Sequence, residues 1–168
     1  GNFKTLLKAI TLTPGMLCFL NGNTNKKTSP NENYGRELQE LYSVGKGAGS
    51  HYTEDDVRAA ARVLTGHTVD AEFNYYFDVA GHDDQNKNFS NFYGGTIITG
   101  RSGSSGAGEL DDLLNMIFST AESAKFICRK LYSFFVYYKI DDSIETNIIT
   151  PLAQILKDSG YHIKTGLA

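Results

Sequence analysis

Apolar positions recur along most of the chain at helical spacing. Phe3, Leu6, Leu7 and Ile10 share one face and predict a short helix over 3–10. Thr13 followed by Pro14 reads as an N-cap with proline at the first helical position, opening a second short helix through Phe19. Residues 21–30 are polar and punctuated by Gly22 and Pro30, as a loop is. From Asn31 the helical pattern returns, with Tyr34, Leu38, Leu41 and Tyr42 on one face until Gly45 and Gly47. Thr53 with Asp56 three residues on resembles a capping box, and Val57, Ala60, Ala61 and Leu64 form the buried stripe of the helix it opens, ended by Gly66.

The pattern then changes. Phe73–Asp78 is aromatic and partly alternating, which predicts a strand, with Thr96–Thr99 as the partner that would complete a small ribbon. Between them lies the polar loop 82–87, and after them 100–108, whose glycines and serines predict a mobile surface connection. Helices resume over about Glu109–Phe118. A long one, Ala121–Tyr138 capped by Thr120, has a wide apolar face (Ala124, Ile127, Leu131, Phe134, Phe135, Tyr138) and a narrow polar one of Glu122, Lys125 and Arg129. A last helix covers about Ser143–Lys157. The expected fold is one mostly α domain over 1–168, with about six or seven helices around Ala121–Tyr138 and a two-stranded β-ribbon inserted at about 70–108.

Composition narrows the function. With 40% hydrophobic residues and twenty Phe and Tyr rings (ten of each), the chain can build a core. A formal charge of −3 supplies no general attraction for nucleic acid, and none is expected as a partner. The longest apolar run, Phe126–Ile140, is interrupted by Arg129, Lys130 and Lys139, so no membrane span is expected. Cys18 and Cys128 fit no metal or redox spacing, and both lie in apolar stretches that suit buried free thiols; a disulfide between them stays open.

Several ordered motifs carry a resemblance. They are Asn31-Glu32-Asn33-Tyr34-Gly35-Arg36-Glu37-Leu38, Tyr52-Thr53-Glu54-Asp55-Asp56-Val57-Arg58, Ala60-Ala61-Arg62-Val63-Leu64-Thr65-Gly66, and His82-Asp83 with Lys87. With Lys130-Leu131-Tyr132 and Pro151-Leu152-Ala153 downstream, they resemble the bacterial family called domain of unknown function 1800 over nearly the whole chain. Two positions depart from the pattern: Gly35 where Ala is usual, and His67 where Trp is usual. The resemblance implies that this chain is a central or C-terminal fragment of a longer protein, with the remainder of that polypeptide as partner, and a periplasmic or extracellular address. It implies no established activity and no cofactor.

Candidate chemistry is sparse. Glu37 falls on the core-facing arc of its helix, where an unpaired carboxylate is costly, so an arginine partner is expected in Arg62 or Arg58. Read as structure, this is an ion pair locking two helices; read as function, it is an acid or base poised in a cleft. Arg36, between Glu32 and Glu40 at four-residue spacing, reads as an exposed ladder. His82, Asp83 and Asp84 put an imidazole and two carboxylates on one loop and are weak candidates for a metal site, which would need ligands from elsewhere; loop aspartates also serve simply to cap turns. The glycine-rich stretch lacks the Lys-Ser/Thr of a phosphate loop, and no Gly-x-Ser-x-Gly elbow is present. The polar cluster to test is therefore Glu37, Arg58, Arg62, His82 and Asp83. The leading expectation is a structural or binding module of a larger exported bacterial protein. The alternative is a fragment of a hydrolase-like enzyme, metal-dependent or not, with its site near Glu37, Arg62 and His82.

Overall fold

Asn2 opens the first helix by accepting the Thr5 amide at 3.0 Å. The computed structural model describes residues 1–166. In chain order the α-helices are α1 (Phe3–Thr11), α2 (Pro14–Phe19), α3 (Asn33–Glu40), α4 (Glu54–Val63), α5 (Glu109–Ser119), α6 (Ala121–Phe135), α7 (Asp142–Ile144), α8 (Thr150–Asp158) and α9 (Ile163–Gly166). The fold is mostly α, with short antiparallel ribbons between α4 and α5.

Three threonines cap helices as Asn2 does. The Thr13 and Thr120 hydroxyls accept from the Met16 and Ser123 amides, and Thr53 forms the full reciprocal capping box with Asp56. Asp56 goes further than capping. Its carboxylate also accepts the Ser90 amide and hydroxyl, each at 2.7 Å, so the start of α4 holds the second ribbon. At Gly35, α3 crosses α4 so closely that an added Cβ would lie 3.0 Å from the Ala61 nitrogen. Small residues on both helices set that crossing.

Three expectations need correction. First, the partner of the aromatic strand is not Thr96–Thr99. Strand β1 (His67–Val69) pairs with β2 (Tyr75–Phe77), His67 opposite Phe77, and a separate pair joins β3 (Lys87–Asn88) to β4 (Ile97–Ile98). The tight turn wins because closing a few residues costs less entropy than closing about twenty, and Asp70 builds that turn by accepting the Glu72 and Asn74 amides. Second, α5 is the central helix. Leu110, Leu113, Leu114 and Ile117 are sealed from solvent, and α1, α4, α6 and β4 all pack on this helix. Helix α6 stops at Phe135, and its apolar face emerges into solvent beyond Leu131, with Phe134 82% exposed. Third, residues 103–108 form tight 3-10 turns with Gly106 buried. A Cβ on Gly100 would sit 2.0 Å from the Asp84 carbonyl oxygen, so this segment packs against the 82–87 loop.

The C-terminal helical run passes through a π-turn, Glu145–Ile149, just ahead of Pro151. Proline cannot donate to the preceding turn and its ring crowds the carbonyl four residues back, so the helix widens there. The Glu145 carbonyl accepts both the Thr150 amide and, at 2.9 Å, the Thr150 hydroxyl. The chain then returns to its start: Phe3 N donates to the Tyr161 carbonyl and Ile163 N to the Gly1 carbonyl.

Candidate functional site

Helix α4 runs out into Thr65 and Gly66, and these two residues anchor the buried polar cluster. Gly66 has φ +87°, and a Cβ there would meet the Asp78 carbonyl at 2.8 Å, so only glycine lets the chain turn back over the helix. The turn delivers the 82–87 loop onto Thr65. The Thr65 hydroxyl donates to the Arg62 carbonyl (2.7 Å) and accepts the Asp83 amide (2.8 Å), while its own carbonyl faces His82 Nδ1 at 2.8 Å. Nδ1 is thereby the donor, and His82 Nε2 faces Glu109 Oε1 at 3.1 Å.

Glu109, the first residue of α5, collects three donors. Oε1 accepts the Arg101 amide (2.7 Å) beside His82, and Oε2 accepts Lys87 Nζ at 2.5 Å. Lys87 Nζ also donates to the Asp83 carbonyl. The Asp83 carboxylate in turn takes Arg62 in a two-pronged bond, 2.7 Å to Nε and 3.2 Å to Nη2. Burial acts to raise the Asp83 carboxyl, but the Arg62 and Gln85 hydrogen bonds and the charges of Arg62 and Lys87 outweigh it and hold it below the usual range. Lys87 and Glu109 are fully buried and His82 is 2% exposed. Gly106 closes the cluster from above: a Cβ there would lie 2.4 Å from the His82 ring. Together these groups form a latch that ties the loops to α4 and α5.

This arrangement differs from the expected one. Arg62 and Asp83 meet, and His82 lies beside them, but Glu37 does not join: among the described residues no basic group comes within ion-pair distance of its carboxylate. Arg58 pairs at the surface with Asp55 (2.7 Å) and Glu32 (3.6 Å). Glu37 stays half-buried at the edge of its arc, where solvent reaches it and removes the need for a partner. Arg36 bonds Glu54 and Glu32, while Glu40 takes Lys46. Asp84 is exposed and accepts from Gln85, away from His82. Among the described residues no three His, Cys, Asp or Glu side chains converge as a metal shell does. Both His82 ring nitrogens are engaged and walled in, so the cluster offers no free base to a substrate.

Reasoning from sequence overlooked Lys87 and Glu109 as buried partners, because charges are seldom fully buried and each reads as a solvated group. A signal was present: Glu109 shares a helical face with Leu113 and Ile117, all three sealed in the core.

Next to the latch, His67 occupies an aromatic niche, stacked on Tyr75 and edge-on to Phe77. Nδ1 bonds the Tyr75 hydroxyl at 2.9 Å, and Nε2 is buried without a partner among the described residues. Burial, with the neighbouring His82 charge, lowers its pKa to about 4.

A different face carries the accessible recess. About 490 Å3 lies between α1, α2, α6 and α9, walled by Phe3, Leu6, Leu7, Ile10, Met16, Leu41, Tyr42, Phe126, Ile127, Leu131 and Ile163, with Lys130 as its one charged residue. Leu6 and Leu41 are more than half exposed. Beyond Phe126 and Lys130, which line both, a second recess of about 370 Å3 holds Lys46, Arg129 and Ser133. Helical periodicity does not separate such a surface from core, since both read as apolar stripes.

Over residues 1–168 the chain matches the model of a family described as protein of unknown function, DUF1800, and it belongs to that family. No curated protein and no solved structure matches it.

Proposed function

From this family membership we propose that the protein is a binding and structural module within a larger, exported bacterial polypeptide, and that its working surface is the apolar recess beside α1 and α6. One observation carries the reading. A recess of about 490 Å3 is walled almost wholly by hydrocarbon, whereas Lys87, Glu109 and His82 are buried in the latch and Arg62 and Asp83 are bonded to each other at its rim. An exposed apolar concavity of this size is the mark of a binding site. The exposed run Phe134–Tyr138 continues the stripe of Ile127 and Leu131 beyond the recess and supports contact with the remainder of the polypeptide.

The experiment is titration with a neutral, environment-sensitive dye, N-phenyl-1-naphthylamine. Saturable binding is expected, weakened at least about tenfold by Leu41→Glu or Leu6→Glu, because a charge placed on an apolar wall must be desolvated. Both positions are exposed, so folding is retained, and circular dichroism checks it. Dye binding that ignores both substitutions, or no saturable binding, contradicts the reading. Export is tested separately, by locating the full-length protein in cell fractions; a cytosolic location overturns that part.

A further inference from the structure

The apolar recess is not uniform: its one cation stands where it borders a polar neighbour. Lys130 Nζ lies 5.2 Å from the centre of the Phe126 ring, and these two residues form the wall shared with the second recess. The other cations of that second recess are already neutralised. Arg129 holds Glu145 through two bonds (2.8 and 2.7 Å) and Glu122 at 2.5 Å, and Lys46 holds Glu40 at 2.7 Å. Among the described residues no carboxylate comes within ion-pair distance of Lys130. A hydrocarbon-walled volume therefore ends at an exposed ammonium that no carboxylate of the described residues pairs.

Charge and polarity together fit one kind of occupant, an alkyl chain that ends in a single anion. We propose that the apolar recess binds a long-chain carboxylate, its tail among the apolar walls and its head on Lys130 at the border. A bare hydrocarbon would leave Lys130 without a counterion, and a short anion would leave the apolar walls wet. The volume falls within the range of about 300–1,000 Å3 typical of small-ligand sites. The inference rests on the reading of the recess as a binding surface and adds the chemistry of what fills it.

The test uses palmitate below its micellar concentration, competing with the neutral dye on the intact chain. Palmitate is expected to displace the dye, and each two-carbon shortening of the acid to weaken competition by about tenfold. Lys130→Glu should weaken palmitate about tenfold or more relative to its effect on the neutral hexadecanol. Lys130→Gln should fall between. Lys130 is exposed, so neither variant disturbs the core. If the dye binds and palmitate fails to displace it, or competes equally in Lys130→Glu, the carboxylate assignment is overturned and the binding surface stands. If the dye itself does not bind, both fall together.

Discussion

At the scale of single residues, the strongest statements concern charges with no access to water. Lys87 and Glu109 neutralise each other inside the fold. Removing one partner leaves the other buried and uncompensated, which typically costs about 3–5 kcal/mol. Glu109→Gln should therefore lower stability by roughly that amount in urea unfolding, while Lys87→Met combined with Glu109→Gln should recover a large part of it. A single substitution without effect would show that the pair is solvated. Gly106→Ala is the steric counterpart. Its methyl would overlap the His82 ring, and overpacking of this sort costs about 1–3 kcal/mol. His67 adds a pH dependence. It is neutral in the fold down to about pH 4, whereas the unfolded chain takes up its proton near 6.5. Between these values the unfolded state binds more protons, so stability rises with pH and is lost as pH falls, by roughly 3 kcal/mol in all. His67→Phe should flatten that part of the stability–pH curve, and an unchanged slope would contradict the assignment. Glu37 shows the limit of residue-level reading: helical phase put it on the core side, but the arc's edge is open to solvent.

At the scale of elements, what was legible in the sequence was whatever local chemistry decides. The caps at Thr13, Thr53 and Thr120 and the stop at Gly66 depend on residues a few positions apart, and each stands where its local pattern put it. Pairings decided by distant contacts were not legible. Nothing in Thr96–Thr99 says that β3, and not β2, lies beside it, and a three-residue strand such as His67–Val69 is too short to show alternation. The latch is of the same kind, because Lys87 and Glu109 lie 22 residues apart and meet only once the 100–108 segment has folded down. That segment reads as flexible by composition, yet Gly100 and Gly106 are needed there for close approach. Deleting two residues from 103–106 should therefore destabilise the protein by several kcal/mol, since Gly106 and the Arg101 amide would be pulled from His82 and Glu109. A shortened chain with unchanged melting behaviour would restore the linker reading.

At the scale of the whole molecule, the polar and apolar resources are divided between two regions. Buried charges tie the ribbons and the 100–108 turns to α4 and α5. Exposed hydrocarbon lines the recess around α1, the end of α3 and α6 and runs on through Phe134–Tyr138, while the ribbons carry separate exposed side chains such as Phe73 and Ile97. Buried charge and the apolar recess thus lie in separate parts of the fold, and variants in one region should leave the other intact. Of the candidate cluster in the sequence, Glu37, Arg58, Arg62, His82 and Asp83, the fold brings Arg62, His82 and Asp83 together and leaves Glu37 and Arg58 apart from them. The second region could not be separated from the core, because its exposure depends on which helices stop short of covering it. The most direct test is amide chemical-shift mapping on the labelled protein during titration with the neutral dye. Shifts are expected to centre on Leu6, Ile10, Leu41 and Leu131, with His82, Gly106 and Glu109 unmoved. Shifts centred instead on Arg62, His82 and Asp83 would contradict the recess as working surface and return the site to the polar cluster.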